Sequence, residues 1–503
     1  MQKQLPGNCS SVPVLALSGT TTYTSTVAVT PELFYSMSLE RSLALPLLAT
    51  VLTGTLLYQL VKVEPALWIS GFALIAFITV RWRRLPQSPR ILVGLALFSG
   101  LFLPWAADHW AVLHTAFDRA GYFATFLIAL SFIRLAAQRS RMVRRCGALA
   151  VNQPPGRRYG ILSYTTALFG LILNFGVLHL LGLMVTRGNT LAAANGQLTI
   201  QRTRQRRMSL AMLRGFAALP MTSPFSITLA LLLTIIPGLR WQDILPIGFV
   251  TAVLLILIGW IQDFLHNPRR PPPGMTVNHR SYSWRPAVQL VGLIGLLTGT
   301  AFILEINTDL SLTLAVILTS PLIGIGWLAW QGNRAGVPGA LVLLGRRLKA
   351  DIPNQVAPLS GEVSLLAGAG FLGAVITGLV TQSQVLWLVS ALHLDGYFLL
   401  IVAMILTVML GQVGFNPIVS VTLLASALQP VAAFGLSNEL LALGLMSAWC
   451  LTVNSSPFTI SVSIVGYLSQ VSPRHLAWDW NRRYLLVSFA FLSIWLYGLQ
   501  WFY

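Results

Sequence analysis

Two short motifs offer the chain its clearest chemistry: Thr222-Ser223-Pro224-Phe225-Ser226-Ile227 and Ser455-Ser456-Pro457-Phe458-Thr459-Ile460, each set in a long apolar stretch. Proline inside a helix removes one backbone hydrogen bond and clashes with the carbonyl a turn earlier, at about 3 kcal/mol or more. The flanking hydroxyls can cap the freed groups and start a new half-helix. Freed carbonyls together with Ser, Thr and Asn oxygens suit Na⁺, and half-helix N-termini after Pro224 and Pro457 offer partial positive charge to an anionic group. The motifs lie 233 residues apart (456 − 223) in a chain of 503, close to half its length. A second pair precedes them: Asn174 in Leu173-Asn174-Phe175-Gly176, and Asn416 in Gly414-Phe415-Asn416-Pro417.

Titratable groups near these motifs are scarce. Between residues 160 and 185 there are only His179 and Tyr164, and neither the second Asn segment nor the surroundings of Ser456 hold any. Proton antiporters usually need a buried carboxylate, so the absence favours a neutral or anionic solute moving with a cation, Na⁺ above H⁺. His179 reads as a packed interior histidine, with proton coupling as its second reading. Arg214, about two turns before Ser223, reads as a side chain snorkelling to the headgroups, or otherwise as a neutraliser of an anion. Glu362 and Glu439 read as interfacial residues or dipole partners at span starts. Cys9, Cys146 and Cys450 have no metal or disulfide spacing, and no P-loop or CxxC motif occurs, so neither a cofactor nor ATP-driven pumping is expected.

The elements that must position these residues follow from composition. With 55% hydrophobic and 9% charged residues, against roughly a quarter charged in soluble domains, the chain reads as an all-α polytopic membrane protein. Its continuous apolar runs do not alternate as barrel strands would. The net charge of +19 sits in clusters between apolar runs, the positive-inside pattern, and so does not point to nucleic acid. Residues 1–40 are expected to be disordered or to precede the real start, with Met37 as the start. Spans are expected at 42–60, 65–80, 91–107, 121–137, 208–237, 244–261, 287–304, 311–330, 362–380, 438–468 and 484–503, about 11 in all.

The basic loops place the N-terminus inside, but the arginines at 187 and 202–207 would be stranded outside if 160–185 crossed once. A re-entrant hairpin over 160–186, turning at Asn174, removes the conflict. A second hairpin over 397–434, turning at Asn416, mirrors it from the other face. The chain therefore divides into a leading helix (41–64) and two inverted repeats. The first (65–286) comprises scaffold 65–137, inner arm 138–159, hairpin 160–186, broken helix 208–237 and helix 244–262. The second (287–503) comprises scaffold 287–381, outer arm 384–395, hairpin 397–434, broken helix 438–468 and helix 484–503. Broken helices at matching positions of inverted halves are the sequence mark of a transporter's binding site.

This order of elements resembles the ion transporter superfamily, and most closely its divalent anion/sodium symporter branch, over about residues 65–503. The resemblance implies a secondary transporter of a small, anionic organic solute, Na⁺-coupled, elevator-like and homodimeric. It also implies the bacterial inner membrane, with the N-terminus cytoplasmic and the C-terminus periplasmic. Carried over by position, Asn174, Ser223, Asn416 and Ser456 would hold Na⁺, and Phe175, Pro224, Pro417, Pro457 and Thr459 would join them around the solute. The branch has Ser-Asn-Thr at each tip; here the flanking hydroxyls are missing, so dicarboxylate specificity does not carry over, and Phe175 points to a smaller or less polar solute. Two alternatives stand beside this reading: a proton-coupled exporter or antiporter, and a membrane-embedded enzyme or assembly scaffold.

Overall fold

The computed structural model describes residues 31–266, 283–333, 336–394, 396–429 and 431–502, and among them every regular element is helical. Residues 1–30, with Arg269, Arg270, Arg280, Arg334 and Asp395, lie outside the described residues. The first half runs α1 (Pro31–Val61), α2 (Glu64–Arg81), α3 (Gln87–Gly100), α4 (His109–Gln138) and α5 (Arg141–Val151). It continues with α6 (Pro155–Leu173), α7 (Gly176–Gly188), α8 (Leu198–Ala217), α9 (Leu219–Thr222), α10 (Ile227–Ile235) and α11 (Trp241–His266). The second half runs α12 (Arg285–Ile306), α13 (Leu312–Gln331), α14 (Gly336–Leu379) and α15 (Gln382–Ala391). It ends with α16 (Gly396–Gln412), α17 (Pro417–Ala427), α18 (Asn438–Ser455), α19 (Ile460–Ser469) and α20 (Arg482–Leu499).

Among the described residues eight helices are long and apolar enough to cross a membrane, counting α18–α19 as one broken span, or nine if α15 and α16 are joined. The protein is a polytopic helical membrane protein. The eight leave out α3, which has 14 residues, the arginine-bearing broken helix α8–α10, and α20, which opens on Arg482 and Arg483.

Several boundaries differ from expectation, each for a visible reason. Asp118 and Arg119 are not in a loop: α4 begins at His109, capped by Asp108, whose carboxylate accepts from the Ala111 N–H at 3.0 Å. Arg346, Arg347 and Lys349, expected in an inner loop, lie on the 44-residue α14. Ion pairs clamp that helix to the C-terminal end of α4: Arg134 to Glu362 at 2.6 Å, and Arg139 to Asp351. Glu362 is therefore an ion-pair partner in mid-helix, not a span-start residue, whereas Glu439 does sit in the first turn of α18. The basic cluster 202–207 is also helical, being the start of α8, where Arg207 forks both oxygens of Asp263 on α11 at 2.9 and 2.7 Å. In the segment expected to form the inner arm, α5 is amphipathic, burying Val143, Cys146 and Leu149 while Arg141, Arg144 and Arg145 stay exposed.

Pairs of helices joined by a short turn, α6–α7 and α16–α17, stand where the two hairpins were expected. Helices α6 and α7 part at Asn174, whose φ of 48° and ψ of −131° end α6 and reverse the chain. The two ends of this hairpin return to one place: Arg158, near the start of α6, faces Arg204 and Arg207 on α8, while Asn189, just past α7, donates to Gln201 O at 2.9 Å. Helix α6 runs beside α8 so closely that a Cβ on Gly215 would fall 2.1 Å from Ser163 O. In the second hairpin Gly396 and Gly435, at its two ends, lie so near that a Cβ on Gly396 would meet Gly435 O at 3.7 Å, and α16 runs beside α18 with Gly411 against Thr452.

The broken helices α8–α10 and α18–α19 lie side by side and antiparallel. Ser209 meets Ser469 at 2.6 Å, the Cys450 thiol lies against the Met221 backbone, and Asn438 donates to Pro237 O at 3.0 Å. Start thus meets end along the whole pair, the geometry of an inverted repeat. Each half-helix beyond a break packs on the other repeat's hairpin, α10 on α17 and α19 on α7.

Candidate functional site

At each proline the chain leaves the helix, makes one turn and re-enters. In the first break the Phe225 N–H donates to Ser223 Oγ at 3.0 Å, and the Ser226 N–H donates to Ser223 O at 3.1 Å. The second repeats these bonds 233 residues on, with Phe458 N–H to Ser456 Oγ at 3.2 Å and Thr459 N–H to Ser456 O at 3.2 Å. Even the longer hydroxyl bond recurs: Ser226 Oγ to Pro220 O and Thr459 Oγ1 to Val453 O are each 3.4 Å. Two segments sharing only a hydroxyl–Pro–Phe–hydroxyl core therefore fold into one turn, because the proline forbids the helical bond and the hydroxyls replace it.

Each hairpin tip stands beside the break that follows it. Ser456 Oγ donates to Gly411 O at 2.6 Å, and Gln412 Nε2 donates to Ser455 Oγ at 2.9 Å, which ties the second tip to the second break. At the first tip Phe175 packs against Phe216 of α8 with tilted rings whose centroids are 5.1 Å apart, and Gly170 packs on Leu219 of α9. Asn416 caps α17, its Oδ1 accepting from the Ile418 N–H at 2.9 Å with Pro417 at the first helical position. Asn174 is half-buried, and its amide makes no side-chain hydrogen bond among the described residues.

The four elements do not converge on one point. Met221, two residues before Ser223, faces Cys450, whereas the second break lies six residues further along α18 (456 − 450), about 9 Å at 1.5 Å per residue. The breaks also differ in access. Ser223, Pro224, Phe225 and Ser226 are all buried, while beside the buried Ser456 the side chains of Phe458, Ile460, Val413 and Phe415 stand exposed. Ser226 caps α10 through the Leu229 N–H at 3.1 Å, but Thr459 turns its hydroxyl to Ser456 O at 2.8 Å and leaves the N-terminus of α19 without a side-chain cap. Amide N–H groups there are open to an anion.

Other expected residues are placed differently. His179 is exposed on α7, with no hydrogen-bond partner among the described residues, so it is not a packed interior histidine. Arg214 does not snorkel: it is buried at the depth of the second break, donating from Nε to Asn481 Oδ1 and from Nη1 to Tyr159 Oη, both at 2.9 Å. Asn481 Nδ2 in turn donates to Asn454 O at 3.0 Å. Asn454, Asn481 and Gln412 were not singled out by the sequence reading. Asn454, a lone amide in an apolar stretch two residues before Ser456, was visible there; Asn481 had the look of a loop residue. Trp105 and Trp501 are exposed, whereas Trp241 stacks on Phe302 of α12 at 4.0 Å.

Compared by sequence, the chain matches no family model and no curated protein. Compared by structure, it is similar to the Alcanivorax borkumensis YdaH transporter, described as having an unusual topology, with 15% identity over 83% of this chain and 99% of that one at a TM-score of 0.50. Neisseria gonorrhoeae MtrF, from a class of antimetabolite efflux pumps, aligns with 11% identity over 82% of this chain and 96% of that one at a TM-score of 0.49. At 15% identity, what the chain shares with the first is its fold.

Proposed function

We propose that this protein is a secondary active transporter that carries a small, anionic organic solute across the membrane together with a cation, Na⁺ in preference to H⁺. The observation that carries the proposal is the doubled pairing of a helical hairpin with a proline-broken helix, in two antiparallel copies built on the same hydrogen bonds. Fold shared with a solved transporter supports it. Backbone groups freed in mid-bundle, with Ser223, Asn416 and Ser456 beside them and Asn174 unengaged, are ligands for a hard cation and dipoles for an anion. No acidic residue lies in either break or tip, which is why Na⁺ is preferred to H⁺. His179 has no hydrogen-bond partner among the described residues with which to relay a proton.

The motion we propose is elevator-like: α6–α11 and α16–α20 move as a body against a scaffold of α2–α4 and α12–α14. Scaffold meets body where α14 packs on α17, with Gly373 against Thr422 and Ser426. Small side chains there give a smooth sliding surface, as between close-packed membrane helices. We further take the protein as a homodimer of the bacterial inner membrane, N-terminus cytoplasmic and C-terminus periplasmic, the arrangement its resemblance implies.

The test is uptake of radiolabelled organic acids by proteoliposomes, with a Na⁺ gradient, a proton gradient or neither. Na⁺-driven flux that falls at least tenfold in Ser456→Ala is expected. If no gradient drives any organic anion, the proposal fails.

A further inference from the structure

Arg214 carries a full charge, because a guanidinium is not deprotonated in proteins. It is 5% exposed, and its hydrogen-bond partners Asn481 and Tyr159 are neutral, as is the Tyr484 ring that its guanidinium overlies at 4.1 Å. Among the described residues no carboxylate pairs with it, and Nη2 has no acceptor. The acid on adjacent α11, Asp263, is held through both oxygens by Arg207. A cation withdrawn from water without a counter-ion loses hydration that neutral partners only partly restore. Inside a membrane bundle such a group marks function.

Two further observations converge on the same place. Asn454, whose carbonyl accepts from Asn481, is 3% exposed, and its Oδ1 is buried with no donor. The inverted counterpart of Arg214, at 447 (214 + 233), is Ser447, fully buried, so the repeat's packing does not itself demand a charge. Helix α11 shows the same asymmetry: where Asn481 bonds to the Asn454 carbonyl, its counterpart Gly248 (481 − 233) sits directly against Met221 O. The second break thus holds a guanidinium, an amide and an orphaned oxygen, where the corresponding positions of the first are Ser447, Gly248 and Met221.

We propose that Arg214 is the anchor for the carboxylate of the solute, a small organic acid that also carries a donor group for Asn454 Oδ1, admitted through the open second break. The proposal rests on the transport reading above and assigns that reading's anionic end to one residue. Nη2 retains both of its hydrogens and Nη1 one, which suits the two-oxygen face of a carboxylate. The uncapped N-terminus of α19, in the same break, adds partial positive charge. Val413, Phe415 and Phe458, exposed around the opening, give an apolar lip for the rest of the molecule.

The experiment uses full-length protein in detergent, with thermal unfolding followed against benzoate and hexanoate, each beside its uncharged amide. Both carboxylates are expected to raise the melting temperature of the wild type and neither amide to do so. Arg214→Met is expected to weaken the carboxylates at least tenfold, while its ligand-free melting temperature stays at or above that of the wild type because an unpaired buried charge has gone. Should that variant fail to fold, Arg214→Gln, which keeps a polar group for Asn481, takes its place. Carboxylate and amide acting alike on the wild type, or carboxylate affinity within twofold of wild type in the neutral variant, overturns the anchor. Proteoliposome uptake separates the two claims: Na⁺-driven flux unchanged in Arg214→Met removes the anchor and keeps the transporter. Charge-selective binding lost in Arg214→Met, with no flux in the wild type, keeps the anchor and removes the transporter.

Discussion

The first break is a sealed turn and the second an open one, although the same bonds hold both. Phe225 is 6% exposed and Phe458, its counterpart 233 residues on, 57%. Local chemistry therefore sets the shape of each turn, and surroundings set who can reach it. Around Phe225 the space is filled by the bundle; Phe458 lies beside Gly414 at the tip of α16–α17 yet keeps more than half of its surface open. Inverted repeats with equal local geometry and unequal access are what one state of an alternating cycle requires, and under the proposed function the two breaks exchange these conditions as the solute crosses.

The comparison can be broken most forcefully at the aromatic pair. Phe225→Ala empties a packed site and is expected to cost about 3–5 kcal/mol of stability, whereas Phe458→Ala should stay within about 1 kcal/mol, both by denaturant unfolding in micelles. Equal losses would show that the second break is as tightly enclosed as the first. The hairpin contact comes next. Gly215→Ala drives a methyl against the Ser163 carbonyl, where no flexible side-chain end can give way, and is expected to cost about 1–3 kcal/mol. The reciprocal Ala448→Gly in the second repeat should cost only about 1 kcal/mol, from backbone entropy. Capping gives a finer contrast. Ser226→Ala removes the cap of α10 and should cost about 1 kcal/mol, while Thr459→Ala, which removes no cap, should cost a few tenths by the same measurement.

The smallest effect lies in the arm. Burial pushes the Cys146 thiol of α5 up to about 11. The folded protein thus holds this proton more tightly than the unfolded chain does, so the thiol's share of stability is whole below the ordinary thiol range and drains away as pH rises through about 9 to 11. Maleimide labelling of Cys146 in folded protein should be slow at pH 7 and reach the rate of a free thiol only on unfolding; fast labelling at pH 7 would show that the arm does not bury it.

Much of the architecture was legible because charge and hydropathy constrain membrane segments so severely. The arginines at 187 and 202–207 call for a reversal of the chain within 160–186, and the two Ser-Pro-Phe motifs mark both breaks to the residue. What stayed hidden depended on pairing across hundreds of positions. Nothing local announces that Glu362 meets Arg134, so the basic run 346–349 read as a loop when it is the flank of a 44-residue helix. Arg214 looked like a headgroup-seeking side chain because its partner Asn481 is 267 residues away. Exposure was equally invisible, for Phe225 and Phe458 stand in nearly identical sequence.

The crossed packing of α10 on α17 and α19 on α7 has a consequence for how such a chain can come apart. Each repeat leaves one arm of its own hairpin for the other to cover, so neither is a finished object alone. A gene cut in the stretch 267–282 should yield two fragments that are degraded when made singly and persist when made together. Descent from a duplicated ancestor would then have begun as two copies clasping head to tail, fused only afterwards.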